Sequence, residues 1–89
     1  MEKGKIEQIV NDILVTKIEL KEEMIERDAS LKDDLGIDSL SLLDLLTFLE
    51  KAFTIKIKLY ELDGVETLEH LYDFLENKIR VKEQDKTTT

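Results

Sequence analysis

Asp34-Leu35-Gly36-Ile37-Asp38-Ser39-Leu40 is the stretch on which the fold of this chain turns. It closes a long segment without helical periodicity and opens the most apolar segment of the sequence. Asp38 is a good helix N-cap, because its carboxylate can accept backbone N–H groups that a helix start leaves without partners. Ser39 then falls at the first helical position. Nothing near it in sequence could activate its hydroxyl as an enzyme nucleophile. A helix start does offer free N–H groups and a favourable dipole to an anion, so this serine is well placed to bear a phosphate ester. Gly36 permits the turn that must precede the helix.

Downstream of Ser39 the helix should continue to about Phe53. Its apolar residues are Leu40, Leu42, Leu43, Leu45, Leu46, Phe48, Leu49, Ala52 and Phe53. One face cannot hold them all. Leu43, Leu46 or Leu45, Leu49 and Phe53 can supply the core side, and the rest either meet a docking partner or are buried because a small bundle surrounds its central helix. Ile55 and Ile57 alternate with Lys56 and Lys58, but no second strand exists to pair with them, so residues 54–58 read as an extended connection. Leu59 to Asp63 can make one short helical turn, ended by Gly64. Thr67 can cap a last helix with Leu68, Leu71, Tyr72, Leu75 and Ile79 on one face.

Upstream, Ile6, Ile9, Val10, Ile13 and Leu14 predict a first amphipathic helix from about Lys3 to Val15. Glu2, Lys5, Glu7, Gln8, Asn11 and Asp12 should face water. Between Thr16 and Ile37 the period is lost, yet Ile18, Leu20, Met24, Ile25, Leu31, Leu35 and Ile37 interrupt the polar residues. An ordered loop that dips these side chains into the core is expected, with room for a helical turn or two between Glu19 and Arg27. The fold class is therefore all-α: three main helices plus one short helix, with a long loop between the first two. Residues 1–81 form the domain, and 82–89 are read as a polar, flexible tail.

Composition narrows the function. The chain has 89 residues, 42% of them hydrophobic, with three glycines and no proline, which suits one small helical domain. A net charge of −8 makes nucleic acid an unsuitable partner and a basic protein surface a suitable one. The absence of cysteine excludes disulfides, thiolate metal sites and a cysteine nucleophile. No apolar run is long enough for membrane insertion, and the N-terminus lacks the pattern of a signal peptide, so a cytoplasmic monomer is expected. Asp33, Asp34, Gly36 and Asp38 invite comparison with an EF-hand, but placing Gly36 at loop position six puts leucines at positions one, five and twelve, which cannot ligate calcium. His70 has no evident catalytic companions and reads as a structural histidine.

The residues Asp34-Leu35-Gly36 and Asp38-Ser39-Leu40 resemble the prosthetic-group attachment motif of acyl carrier proteins. The order of helix, long loop, Asp-Ser-Leu-led helix, short turn and final helix resembles that family over about residues 3–80. The resemblance implies that Ser39 is esterified with 4'-phosphopantetheine, donated by coenzyme A through a holo-synthase (a phosphopantetheinyl transferase). The arm's thiol would hold acyl groups as thioesters, in fatty acid, polyketide or related lipid biosynthesis. Asp38 would help to place magnesium during the transfer. Leu40, Asp44 and Glu50 would meet acyl-loading and acyl-processing enzymes, and the chain itself would be no enzyme. Ser41 and Ser30 could bear an ester on chemistry alone but do not match the motif. Ser41, Thr47 and Lys51 dilute the acidity usual in the partner-facing helix, and Lys58 stands where the family often has proline. Housekeeping and specialised carriers thus both fit. The alternatives are an aminoacyl or peptidyl carrier, which often has histidine before the serine, and a helical adaptor that is never modified.

Overall fold

The repeat of apolar side chains every third or fourth residue resolves into three helices in the computed structural model, which describes the backbone of residues 1–88 and the side chains of residues 1–82. Helix α1 spans Lys3–Thr16, α2 spans Ser39–Phe53 and α3 spans Leu68–Thr88. Two short 3-10 turns, Glu22–Met24 and Leu59–Leu62, lie in the connections. No strand occurs among the described residues, and one isolated bridge joins Ser30 to Thr67. The expected flexible tail, residues 82–89, lies outside the described side chains from residue 83 onward.

Helix α1 buries Ile6, Val10, Ile13 and Leu14, one stripe at helical spacing. Two residues expected to face water do not. Glu7 is half-buried and pairs with Arg27, at 2.6 Å, while Asn11 Oδ1 accepts the hydroxyl of buried Tyr72. A buried phenol needs such a partner, because an unmet donor would carry its full desolvation cost. Helix α1 packs against both α2 and α3.

Helix α2 turns Leu45, Leu46, Leu49 and Phe53 inward. Leu43, a candidate for the core side, is instead 47% exposed, and Leu40 is 73% exposed. The excess of leucine is therefore not all absorbed by the bundle. In α3 the spacing read from sequence holds at every position: Leu68, Leu71, Tyr72, Leu75 and Ile79 are buried. Its start carries a reciprocal cap. Thr67 Oγ1 accepts the His70 N–H at 3.2 Å, and His70 Nδ1 accepts the Glu66 N–H at 3.2 Å. His70 stands at the position that Glu or Gln holds in a capping box but reaches one residue further back, to the N–H of Glu66 before the N-cap, which gives the lone histidine its structural role.

The long connection enters the core as expected, with a shift in which residues do so. Leu31, Leu35 and Ile37 are buried, as is Ala29, whereas Ile18, Leu20 and Ile25 are partly buried and Met24 is exposed. All the buried hydrophobic residues, from loop and helices alike, belong to one cluster. Each leucine fully withdrawn from water contributes about 1.5–3 kcal/mol before entropy is counted. The loop is also tied by its backbone to the start of α3: Leu31 N–H donates to Glu66 O, Leu68 N–H to Ala29 O, and Glu69 N–H to Arg27 O, at 2.8–3.1 Å. These bonds position the end of the loop from which α2 departs.

Candidate functional site

The approach to Ser39 is built by a compact turn. Ser30 O accepts the N–H groups of both Asp34 and Leu35, at 3.0 Å, and Ile37 N–H donates to Leu31 O at 2.9 Å. Asp34 adds a side-chain contact, with Oδ2 accepting the Ser30 N–H at 2.7 Å. Leu31, Leu35 and Ile37 anchor this turn in the core. Gly36 sits between two of those anchors at φ +66°, a left-handed conformation that a side chain resists. The glycine thus reverses the chain so that Asp38 and Ser39 emerge on the surface.

Asp38 then caps α2. Its backbone is extended, and Oδ1 accepts the Ser41 N–H at 2.8 Å. Its carbonyl accepts the Leu42 N–H at 2.9 Å. The Ser41 backbone N–H, followed by the Ser41 hydroxyl, holds the Asp38 carboxyl below the ordinary aspartate range. Ser39 is the first residue of the helix and is exposed. Its hydroxyl is thus presented to solvent on a rigid element and accessible to an incoming enzyme. Ser41 is half-buried in the first turn, and its N–H is committed to the cap. Ser30 is committed to its own turn, with Oγ accepting the Asp33 N–H at 3.1 Å.

Ser39 stands at the rim of a groove of ≈ 580 Å³. Leu31, Ile37, Leu42 and Val65 give it apolar walls, and Lys32, Asp33 and Glu66 line its polar side. An exposed hydroxyl at a helix start, beside apolar walls, has the chemistry to take a long phosphorylated arm: the N–H end of the helix would favour its phosphate, and Leu31, Ile37, Leu42 and Val65 would offer apolar surface to the rest. Among the described residues no group of three or more His, Cys, Asp or Glu is arranged to hold a metal ion. No helix among them is long and apolar enough to cross a membrane.

Residues 8–75 match the family described as the phosphopantetheine attachment site. The chain belongs to that family. Similar proteins are acyl carrier proteins. One from Buchnera aphidicola subsp. Acyrthosiphon pisum is 40% identical over 73 residues, 82% of this chain and 91% of the relative. One from Petrotoga mobilis is 33% identical over 85 residues, 96% of this chain and the whole of the relative. One from Saccharopolyspora erythraea is 30% identical over 73 residues, 82% of this chain and 77% of the relative. The resemblance seen at Asp38-Ser39-Leu40 therefore extends over most of the chain. The prosthetic group of the phosphopantetheine-attachment family is covalent 4'-phosphopantetheine, and the role of an acyl carrier implies contact with synthases and acyl-processing enzymes.

The other residues singled out in the sequence are distributed along α2. Leu40 and Asp44 are exposed. Glu50 is half-buried, and Oε2 accepts the Ile57 N–H at 2.8 Å, which ties the connection after α2 back onto the helix. Sequence reading missed this structural role, because a Glu seven residues before an amide gives no local signal of it.

Proposed function

We propose that the chain carries acyl groups as thioesters on a 4'-phosphopantetheine arm esterified to Ser39, and that it has no catalytic activity of its own. The exposure of Ser39 at the first position of α2 is the observation that supports this most. In forming the holo protein, the Ser39 oxygen bonds to the phosphorus bearing pantetheine, and the adenosine-phosphate part of coenzyme A leaves with its electron pair. The serine proton passes to a base supplied by the transferase. The chain contributes presentation: the glycine turn and the Asp38 cap hold the hydroxyl outward, and Asp38, kept ionised, can help to hold the magnesium that the transferase brings.

The exposed Leu40 and Asp44 flank this serine and are proposed to meet partner enzymes, with Glu50 at the far end of the helix serving the fold first. Fatty acid or polyketide assembly is the proposed setting, since the relatives are acyl carrier proteins. The cell interior is the proposed setting, where coenzyme A and the holo-synthase are available.

Acyl loading tests the reading. The protein is first treated with coenzyme A, magnesium and a phosphopantetheinyl transferase, then with an acyl-loading enzyme. The acyl group should appear only after the first step and should be released by neutral hydroxylamine, as a thioester is. An acyl group acquired without the arm, or resistant to hydroxylamine, would contradict it.

A further inference from the structure

The end of α2 and the outer part of α3 border a second groove, of ≈ 440 Å³. It shares no lining residue with the groove beside Ser39, from which it is separated by the length of α2, about 20 Å. Ile55 and Val81 give it apolar walls, and Val81 is 55% exposed there. Lys78 and Lys82 line it from α3, and Lys56 lines it from the connection after α2. Steps of three and four residues put Lys78, Val81 and Lys82 on one side of α3.

Two of the three ammonium groups are held in place. Lys78 pairs with Glu61 at 2.7 Å, and Lys82 donates to Phe53 O at 3.2 Å. An ammonium group has three donors, so each keeps others to offer. Lys56 is exposed and has no hydrogen bond or ion pair among the described residues. Thr54 stands at the edge with φ +53°, a left-handed conformation that glycine adopts more readily than a β-branched residue. Its hydroxyl, which glycine could not supply, also has no partner among the described residues. Glu50 lines the groove too, with Oε2 taken by the Ile57 N–H. Three ammonium groups against the carboxylates of Glu50 and Glu61 leave a surplus of one positive charge, on a chain of net charge −8.

We propose that this groove reversibly binds an aliphatic carboxylate. The head accepts hydrogen bonds from Lys56, Lys78 and the Thr54 hydroxyl, and the methylenes lie along Ile55 and Val81. A surplus of one charge suits a monoanion, and the apolar walls favour one with an alkyl chain over a bare ion. The site does not involve Ser39, so the protein binds the ligand without its arm, and the proposal stands apart from the carrier reading.

The test titrates the unmodified protein with decanoate below its micelle concentration, following backbone amide shifts by NMR. Acetate supplies the head alone and decanol the tail alone. Saturable shifts should cluster at residues 54–56 and 78–82, and acetate and decanol should each bind at least about tenfold more weakly. Lys56→Glu should weaken decanoate binding about tenfold, less so in high salt, with an unchanged melting temperature. Lys21→Glu makes the same change in net charge at another exposed position and should have little effect. Val81→Ser should weaken decanoate and leave acetate as it was. Shifts confined to the groove beside Ser39, acetate binding as tightly as decanoate, equal losses in Lys56→Glu and Lys21→Glu, or no saturable shift at all would each overturn the proposal.

Discussion

Asp38 and Ser39 divide the work of the site between them: one fixes the helix start, the other is displayed by it. The cap depends on ionisation. The Asp38 carboxyl is held below the ordinary value of 3.8 by the Ser41 N–H and hydroxyl. A carboxylate with a lowered folded-state pKa contributes stability above the unfolded value, and loses that contribution as pH falls through the folded one. Asp38→Asn removes this titration while keeping a capping oxygen. Thermal melts of both proteins between neutral pH and pH 2 should therefore show the wild type ahead at neutral pH and the difference narrowing on the acid side of 3.8. A constant difference would mean that the cap is not ionic. The Asp38 cap and the place of Ser39 at the first helical position were legible in the sequence because helix-start chemistry is local. Leu43 was not, because α2 is apolar on several sides and its periodicity leaves open which leucines face inward.

At the scale of elements, α3 shows where periodicity suffices: five apolar positions at regular steps all reached the core. The long connection shows where it does not. Its apolar residues could be recognised as core-seeking, but their final burial was set by backbone bonds to Glu66 and by the bridge between Ser30 and Thr67. Pairings at such separation leave no trace in local pattern. The connection after α2 depends in the same way on Glu50, whose carboxylate meets the amide of buried Ile57. Glu50→Ala leaves that amide without its acceptor and should cost about 1–3 kcal/mol in denaturant unfolding. Glu50→Gln keeps an acceptor of the same reach and should cost less. The pair also separates structure from recognition. If partners read the charge of Glu50, Glu50→Gln will slow acyl loading despite a near-normal fold; if Glu50 only holds the connection, loading will follow stability. For the charge contacts proposed at Asp44, Asp44→Lys should be set against reversal of exposed Glu23, since Glu7 is held by Arg27 and its loss would disturb α1.

The whole molecule combines one hydrophobic cluster with a net charge of −8 and no disulfide. A domain of this size is expected to be only modestly stable, and its like charges oppose compaction. Added salt should raise the melting temperature by screening that repulsion, and magnesium should do so at lower concentration. Melting temperatures that stay flat or fall between low and moderate salt would contradict a charge-limited fold.

All of these features converge on Ser39, and one measurement tests that most directly. Wild type and Ser39→Ala are incubated side by side with coenzyme A, magnesium and a broad-specificity phosphopantetheinyl transferase, and their intact masses are compared. The wild type should gain one phosphopantetheine group, and peptide mapping should place it on Ser39. Ser39→Ala should gain none while keeping its helix content. Labelling that persists in Ser39→Ala, or that maps to Ser41 or Ser30, would contradict the assignment of the site; a wild type that remains unmodified would contradict the account of the chain as a carrier.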